Sequence, residues 1–249
     1  MDYFWFAYVF VIGSVIGSFL NVCIFRIPEK ESVVVNRSHC PQCGYPLKFI
    51  HMIPVISFLF LRGKCPSCKG RISRQYPLVE ALTACLFLIT VMRFGYTAQS
   101  LLLCIFHCVL IVVAGIDIHT MTIPDILHIW IGGIGIVHLL LNPSCLLSSL
   151  TGLVIVSLPM LLLALLCGGF GGGDIKLCAV CGFFLGLKGV LLGFLFACIL
   201  ADVYAIYLIA VKKVSKKSSI CFGPFLAAGF IISSLFWDAL ITWYLTLLL

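Results

Sequence analysis

The sequence Gly168-Gly-Phe-Gly-Gly-Gly-Asp-Ile-Lys176 interrupts a chain that otherwise consists largely of apolar segments. Its five glycines allow backbone conformations that residues with a Cβ atom avoid, and they let another segment approach closely. A glycine-rich turn followed by a helix-capping aspartate is common in any fold, which is the structural alternative for this motif. However, a carboxylate that ends an apolar run is costly in hydrocarbon and usually serves a function. We therefore take Asp174 as the residue around which the other candidate groups are arranged.

The composition identifies the class of protein. Hydrophobic residues make up 62% of the chain and charged residues only 10%, which is typical of a polytopic membrane protein. The 16 lysines and arginines exceed the nine acids and give a net charge of +7. These basic residues lie between the apolar segments, where the positive-inside rule accounts for them. The predicted partner is thus the lipid bilayer, and a nucleic-acid partner is excluded.

Eight apolar segments are long enough to be read as transmembrane helices, although the sixth is short. The sequence predicts an all-α polytopic membrane protein with about eight transmembrane helices. The first segment has neither a basic amino-terminal region nor a small-residue cleavage pattern, so we expect it to be retained. The predicted segments are 3–26, 77–93, 98–116, 125–141, 146–167, 175–187, 189–211 and 222–249.

The long polar segment, residues 28–76, contains half of the lysines and arginines and is therefore predicted to be cytoplasmic. It divides the chain into a first helix (1–27), an insertion (28–76) and a seven-helix membrane domain (77–249). Alternating orientation then returns a second basic cluster to the cytoplasm and leaves only Arg93 and Lys188 on the other side. That cluster comprises Lys212, Lys213, Lys216 and Lys217.

Three carboxylates are predicted at the cytoplasmic face. Asp117 and Asp125 bracket the short turn Asp117-Ile-His-Thr-Met-Thr-Ile-Pro-Asp125, and Asp174 immediately precedes the sixth segment. Two carboxylates that meet share a proton, and a water molecule between them can attack a peptide carbonyl. The alternative is that Asp117 is an interfacial helix end and that Asp125 caps a helix after Pro124.

Two Cys-x-x-Cys motifs, Cys40-Pro-Gln-Cys43 and Cys65-Pro-Ser-Cys68, lie in the insertion. Four thiolates in two tight turns predict a structural zinc ion with tetrahedral coordination. The intervening segment, 44–64, is slightly longer than is usual for this pattern. The predicted cytoplasmic placement argues against disulfides, and a reducible thiol pair remains the alternative. The other ten cysteines are interpreted as small hydrophobic residues.

Further motifs complete a pattern that covers nearly the whole chain. Together with the cysteine pairs and the Asp117 to Asp125 turn, they resemble the type IV prepilin peptidases. The motifs are Gly17-Ser-Phe-Leu-Asn-Val-Cys-Ile-Phe-Arg-Ile-Pro28, Arg62-Gly-Lys-Cys65, Arg74-Gln-Tyr-Pro-Leu-Val-Glu80, Gly171-Gly-Gly-Asp174 and Phe222-Gly-Pro-Phe-Leu-Ala-Ala-Gly229.

This resemblance implies a bifunctional enzyme of the bacterial cytoplasmic membrane, with active sites that face the cytoplasm. It implies that Asp117 and Asp174 are a proteolytic pair of the Gly-x-Gly-Asp type, with Gly171, Gly173 and Asp125 in supporting roles. The expected substrates are prepilins and pseudopilins, which are cut after a glycine at the end of a basic leader. The expected second activity is methylation of the new amino terminus with S-adenosylmethionine.

The resemblance associates methyl transfer with the cysteine-bearing region, and there with Gly63. Gly17, Asn21, Arg74 and Glu80 are further candidates, because they lie at the boundary between membrane and cytoplasm. Their structural alternatives are helix packing for Gly17, a helix-end hydrogen bond for Asn21 and surface anchoring for Arg74. The chain has no Gly-x-Gly-x-x-Gly motif and no alternation of strands and helices, so a Rossmann-type cofactor site is not predicted.

Two other functions are compatible with parts of the pattern. A protease-only enzyme of the presenilin type shares the Gly-x-Gly-Asp motif, but the cysteine insertion argues against it. A transporter could use intramembrane acids as a proton relay. Acids gathered at one face rather than at the midplane make the transporter the weaker alternative.

Overall fold

The computed structural model describes residues 2–34, 40, 42–46, 53–167, 169, 171–211 and 221–248. Gly168 and Phe170 of the glycine-rich stretch and the lysine cluster at 212–217 lie outside these residues. The described chain is helical, as predicted, and an isolated antiparallel bridge joins Lys64 and Arg71. The helices are α1 (Asp2–Arg26), α2 (Ile56–Phe60), α3 (Gln75–Phe94), α4 (Ala98–Thr120), α5 (Asp125–Leu141), α6 (Leu146–Ile155), α7 (Ser157–Cys167), α8 (Gly172–Ala210) and α9 (Gly223–Leu248).

The chain divides into two compact units, Met1–Val112 and Val113–Leu249, with the boundary inside α4. In the first unit α1 packs against α3, and two glycines of α1 allow the backbones to approach. A Cβ atom at Gly17 would lie 2.7 Å from the Cα atom of Glu80, and one at Gly13 would lie 2.7 Å from the Cα atom of Ala84. Gly17 therefore has the packing role expected of small residues between membrane helices.

In the second unit α8 contacts α5, α6, α7 and α9. Its closest approach to α6 is at Gly182, where a Cβ atom would collide with the carbonyl oxygen of Gly152; the reverse substitution meets the carbonyl of Gly182. The glycines thus bring the two helix backbones into direct contact.

Helix α8 is broken at Gly186, which has φ 72° and ψ −178°. This conformation suits glycine because it has no Cβ atom. The N–H of Leu187 donates to Oγ of Ser148 at 3.2 Å, which satisfies a backbone group freed by the break. The segments predicted from the sequence, 175–187 and 189–211, meet at Lys188. The break is at the preceding glycine instead, since backbone conformation decides where a helix can turn.

The predicted segment 146–167 is divided into α6 and α7 at Val156. Pro159 explains this division, because proline has no N–H to donate to the carbonyl of Ile155 and its ring crowds that carbonyl. The segment is helical over the predicted length, but it is not one continuous helix.

Five stretches of the described residues are long and apolar enough to cross a membrane, namely Phe4–Arg26, Gln75–Phe94, Ala98–Thr120, Pro143–Leu166 and Gly172–Ala210. Two shorter apolar helices are Asp125–Leu141 and Gly223–Trp237. The chain is therefore a membrane-embedded helical protein, but the predicted count of eight spans is not confirmed. The 39-residue stretch of α8 would extend about 58 Å as a straight helix, roughly twice the ~30 Å hydrocarbon core.

Candidate functional site

The glycine-rich segment places Asp174 in the first turn of α8. Gly171 is extended and caps the helix, and its carbonyl accepts N–H groups from Asp174 at 3.1 Å and Ile175 at 3.2 Å. A Cβ atom at Gly171 would lie 3.1 Å from Oδ2 of Asp174, and one at Gly173 would lie 3.2 Å from Cβ of Ile123. Gly171 thus leaves room for the Asp174 carboxylate, and Gly173 leaves room for Ile123. The positive end of the helix dipole favours a carboxylate at this position.

Asp117 is buried in the last turn of α4, where only 5% of its surface is exposed. Its Oδ2 atom accepts the N–H of Gly223, the first residue of α9, at 3.0 Å. A Cβ atom at Gly223 would lie 2.7 Å from the same oxygen, so no larger residue fits there without moving the carboxylate. Asp117 is therefore a buried, hydrogen-bonded group near the end of a helix.

Asp117 and Asp174 are close enough to interact electrostatically. A third group, Cys221, lies within reach of both charges. Partial burial raises the pKa of the Cys221 thiol, and the negative charges of Asp117 and Asp174 raise this pKa further. Two neighbouring carboxylates can hold one proton between them, which is the electrostatic requirement for a water-activating pair.

Asp125 interacts with other groups than this pair. It is 71% exposed and receives a hydrogen bond at 2.7 Å from Nζ of Lys176. The cap of α5 is Pro124 and makes no side-chain cap hydrogen bond, so Asp125 is the first helical residue. The alternative that Asp125 caps the helix was therefore wrong by one position. Proline without an N–H is well suited to the start of a helix, whose first amides have no partner within it.

His128 is a residue that the sequence reasoning missed. It is 6% exposed, and its Nε2 atom lies 3.1 Å from the carbonyl oxygen of Gly173. Its Nδ1 atom lies 3.6 Å from Oδ1 of Asp125. The imidazole thus connects the start of α5 to the glycine segment just before Asp174. A histidine three residues after an acid at a helix start is the signal that could have found it.

The four predicted metal ligands, Cys40, Cys43, Cys65 and Cys68, do come together. Their Sγ atoms all lie within 4.8 Å of one another. The Cys40 and Cys68 sulfurs are 3.9 Å apart, and those of Cys43 and Cys65 are 4.0 Å apart. Tetrahedral zinc with Zn–S bonds of about 2.3 Å requires sulfur separations of about 3.8 Å. The donor set is therefore compatible with zinc.

The two cysteine turns share one hydrogen-bond pattern. Cys40 N–H donates to the carbonyl of Tyr45 and Gly44 N–H to that of Cys40, both at 2.9 Å. Cys65 N–H donates to Gly70 at 2.8 Å, and Lys69 N–H donates to Cys65 at 3.1 Å.

The fourth residue after the first cysteine has a positive φ in both turns, 70° at Gly44 and 60° at Lys69. In the first turn, hydrogen bonds from the backbone of Gln42 and Cys43 lower the pKa of Cys40 to about 7. A lowered thiol pKa favours the thiolate that binds a metal ion.

A cavity of about 620 Å³ lies between this cluster and the ends of α1 and α3. The residues that line it include Asn21, Phe58, Tyr76, Glu80, Cys40 and Cys65. Glu80 is buried, and its Oε2 atom accepts the N–H of Val55, the cap of α2, at 2.7 Å. Apolar and aromatic walls with a few convergent polar groups are typical of small-molecule sites.

The five predicted methyl-transfer residues differ in their relation to this cavity. Asn21 and Glu80 line it, whereas Gly17 packs between helices and Arg74 is an exposed cap residue of α3. Gly63 lies behind Phe58, a residue of the cavity wall. It has φ 67°, and a Cβ atom there would lie 3.0 Å from the ring of Phe58. The helix-end alternative for Asn21 describes only its Nδ2 atom, which donates to Gly17 and Tyr76 carbonyls.

Comparison with known proteins gives matches over both units. Residues 11–94 match the model of the Bacterial Peptidase A24 N-terminal domain, and residues 104–206 match the Type IV leader peptidase family. A Prepilin leader peptidase/N-methyltransferase of Bacillus subtilis (strain 168) is 38% identical over 245 residues, which cover 97% of this chain and 98% of the relative.

The similarity extends to other bacteria. Proteins of the same name from Neisseria gonorrhoeae and Aeromonas salmonicida (strain A449) are 33% and 30% identical, with 95% and 100% of this chain covered and 93% and 97% of the relatives. No solved structure matches this chain.

Proposed function

We propose that Asp117 and Asp174 are the proteolytic pair of this chain, which belongs to the type IV leader peptidase family. The enzyme cleaves prepilins and then methylates the new amino terminus. The proteolytic assignment rests on the buried Asp117 carboxylate, whose charge acts on Asp174 beside a glycine-rich segment. The relatives' names include both activities, so neither a protease-only enzyme nor a transporter is favoured.

In the proposed mechanism of cleavage, the two carboxylates share one proton. The ionised member of the pair removes a proton from a water molecule, while the protonated member donates a hydrogen bond to the scissile carbonyl oxygen. The N–H of Gly223 holds Asp117 in one orientation, and Asp174 is half-buried beside the glycine segment. A carboxylate positioned in this way can act without a nucleophilic side chain.

The substrate class agrees with this placement. A prepilin has a basic leader followed by a long apolar helix, so its scissile bond lies at the boundary between membrane and cytoplasm. A glycine at that point lets the backbone extend between the two carboxylates, because a helical amide is shielded by its own hydrogen bonds. The proposed location is the bacterial cytoplasmic membrane, with both sites facing the cytoplasm.

An arrangement of eight transmembrane spans would place both sites at the cytoplasmic face. In this proposal, α8 crosses twice by turning near Gly186, and the shorter α5 and α9 each cross once, in addition to the other stretches that are long enough to span. Alternation then places the insertion, the turn after Asp117 and the start of α8 on one side of the membrane.

We also propose that Cys40, Cys43, Cys65 and Cys68 hold one structural zinc ion and that the adjoining cavity is the methyl-transfer site. S-adenosylmethionine supplies an electrophilic methyl group when it is bound. Glu80 provides a negative charge for a cationic ligand, and Phe58 and Tyr76 provide apolar walls. Gly63 leaves room for the ring of Phe58, and Gly17 lets α1 and α3 pack closely at one side of the cavity. Arg74 is exposed and has a membrane-surface role in this proposal.

The test uses purified protein and a synthetic prepilin segment. Asp117→Asn and Asp174→Asn should each lower the cleavage rate by about 10³-fold or more, since each removes a group that transfers a proton. Asp125→Asn is the matched control, because its carboxylate is exposed and paired with Lys176. Near-normal cleavage by either dyad variant would contradict the assignment.

The Asp174→Asn protein should still methylate a precut pilin segment. Loss of both activities in a folded Asp174→Asn protein would contradict the separation of the sites. Elemental analysis should find about one zinc ion per chain, as expected for a four-thiolate site. Four freely reactive thiols without metal would contradict the zinc proposal.

A further inference from the structure

Asn21 contains a buried hydrogen-bond acceptor that the fold leaves unused. Only 1% of the residue is exposed, and its side chain lines the cavity beside the cysteine cluster. Among the described residues, no group donates to its Oδ1 atom. A buried amide oxygen without a donor is costly, and such groups in native structures call for a partner.

The orientation of the amide is fixed by its other end. Nδ2 lies 3.2 Å from the carbonyl oxygen of Tyr76 and 3.3 Å from that of Gly17. A carbonyl oxygen only accepts hydrogen bonds, so both neighbours require the NH₂ group to face them. The reversed amide would place three oxygens together. Oδ1 is therefore the end of the amide that has no partner, on a residue that lines the cavity.

We propose that Oδ1 of Asn21 accepts a hydrogen bond from the amino-terminal amine of the cleaved pilin. This inference rests on the proposed methyl-transfer function of the same cavity. An amine offers N–H donors and one lone pair, and a fixed acceptor for an N–H sets the direction of the lone pair. Asn21 is thus a substrate-positioning residue for methyl transfer.

The chemistry balances without a further reactant. The amine reaches the site after loss of one proton to solvent, and its lone pair attacks the methyl carbon of the sulfonium. The N–C bond forms as the C–S bond breaks, and the electron pair of that bond remains on sulfur. The product is a secondary ammonium group and a neutral thioether. Asn21 gains and loses no proton in this step.

The position of Asn21 favours the pilin amine over the ammonium group of the methyl donor. Asn21 lies five residues before the end of α1 at Arg26, about 8 Å along the helix. Beyond the end of α1, the cavity is lined by the charged side chains of Glu29 and Glu31. A membrane-anchored substrate approaches from the helix side, whereas a soluble and charged cofactor suits the polar side.

The test compares two precut pilin peptides as ligands of the intact protein. One has a free amino terminus, and the other has that amine replaced by hydrogen. The Asn21→Leu variant should bind the amine peptide about 10- to 100-fold more weakly and the des-amino peptide within about twofold of wild type. Binding of labelled S-adenosylmethionine, measured by equilibrium dialysis, should also change by less than about twofold.

A second variant and a control keep the test decisive if Asn21→Leu folds poorly. Asn21→Gln keeps both the amide oxygen and the NH₂ group that Gly17 and Tyr76 require, and it should bind the amine peptide at least about threefold more tightly than Asn21→Leu. Ser14→Ala is the matched control, because Ser14 is also buried on α1 but bonds the carbonyl of Val11 in its own helix.

The outcomes separate the two proposals. Equal weakening of both peptides, or no weakening of either, would overturn the role of Asn21 while methylation by the wild-type protein stands. Loss of S-adenosylmethionine binding in Asn21→Leu would assign the acceptor to the cofactor and overturn the inference as well. Failure of the wild-type protein to methylate a precut peptide would overturn the function of the cavity itself.

Discussion

Glu80 and Asp117 are anchored in the same way in two different units of the molecule. Each is a buried carboxylate on a helix, and each accepts a backbone N–H from the start of another helix. Val55 at the start of α2 donates to Glu80 at 2.7 Å, and Gly223 at the start of α9 donates to Asp117 at 3.0 Å. A helix start supplies unpaired amide groups, which explains why both carboxylates are found there.

The surroundings of the two carboxylates differ. Asp117 interacts with a second carboxylate, Asp174, whereas Glu80 borders a cavity and interacts with Ser18. In the proposed function, the same anchor serves a proton-sharing pair in one unit and a single negative charge in the other. The group beside each anchored carboxylate would then determine whether it activates water or binds a cation.

The largest effect that distinguishes the two anchors is expected from substitution of Cys40, one of the four proposed metal ligands. Cys40→Ser should lose zinc and lower methyl transfer by about 100-fold or more, because the folding energy of such an insertion comes from the metal. Cleavage should stay within about threefold of wild type. Cys85→Ser is the control, since Cys85 is an exposed free thiol on α3. A matching loss of cleavage would show that the two activities depend on one another.

Glu80→Gln removes the negative charge from one anchor and keeps an oxygen that can accept the Val55 N–H. Methyl transfer to a precut pilin segment should fall by about 10- to 100-fold, the range for loss of a charge-assisted hydrogen bond. Parallel assays of cleavage should give nearly wild-type rates. Unchanged methyl transfer would mean that the charge of Glu80 has no role beyond its bond to Val55.

Gly223→Ala disturbs the other anchor. The added Cβ atom would lie 2.7 Å from Oδ2 and 3.0 Å from Cγ of Asp117, so the carboxylate must move. Cleavage should fall by about tenfold or more, because misplacement of a catalytic group by a fraction of an ångström already slows reaction. Gly132→Ala is the control, since a Cβ atom there meets nothing within 4 Å. Equal rates for the two variants would contradict the proposed importance of the Asp117 orientation.

The smallest effect is expected at Val55, which has a positive φ of 60°. A β-branched residue in this conformation is strained by about 1 kcal/mol or more. Val55→Gly should relieve this strain and slow hydrogen exchange of the α2 amides by about fivefold, which corresponds to about 1 kcal/mol. Faster exchange in this variant would show that the Val55 side chain contributes more than its backbone strain costs.

Much of the helical architecture could be predicted from the sequence, because apolar runs between polar segments determine where membrane helices form. The positions at which these apolar runs break were harder to predict. The predicted boundary lies at Lys188, but the backbone turns at Gly186, two positions earlier. Pro159 divides a run that was predicted to be continuous. Local backbone chemistry overrides hydropathy at such points.

The candidate sites were predicted unevenly for a physical reason. The four cysteines could be grouped because thiol spacing itself indicates coordination, and they do converge. The anchors could not be predicted, since Gly223 bonds to a residue 106 positions away and Val55 to one 25 positions away. Nothing in a single sequence marks a backbone N–H as the partner of a distant carboxylate. The spacing of His128 from Asp125 is visible in the sequence, but its contact with the carbonyl of Gly173, 45 positions away, is not.

The cysteine cluster has an inner and an outer half. Cys40 and Cys65, the first of each pair, are 8% and 3% exposed, whereas Cys43 and Cys68 are exposed. A bulky alkylating reagent therefore meets the second thiol of each pair before it meets the first. Damage by oxidants or electrophiles begins on the side that faces away from the cavity, so the wall of the cavity is the last part of the cluster to be chemically modified.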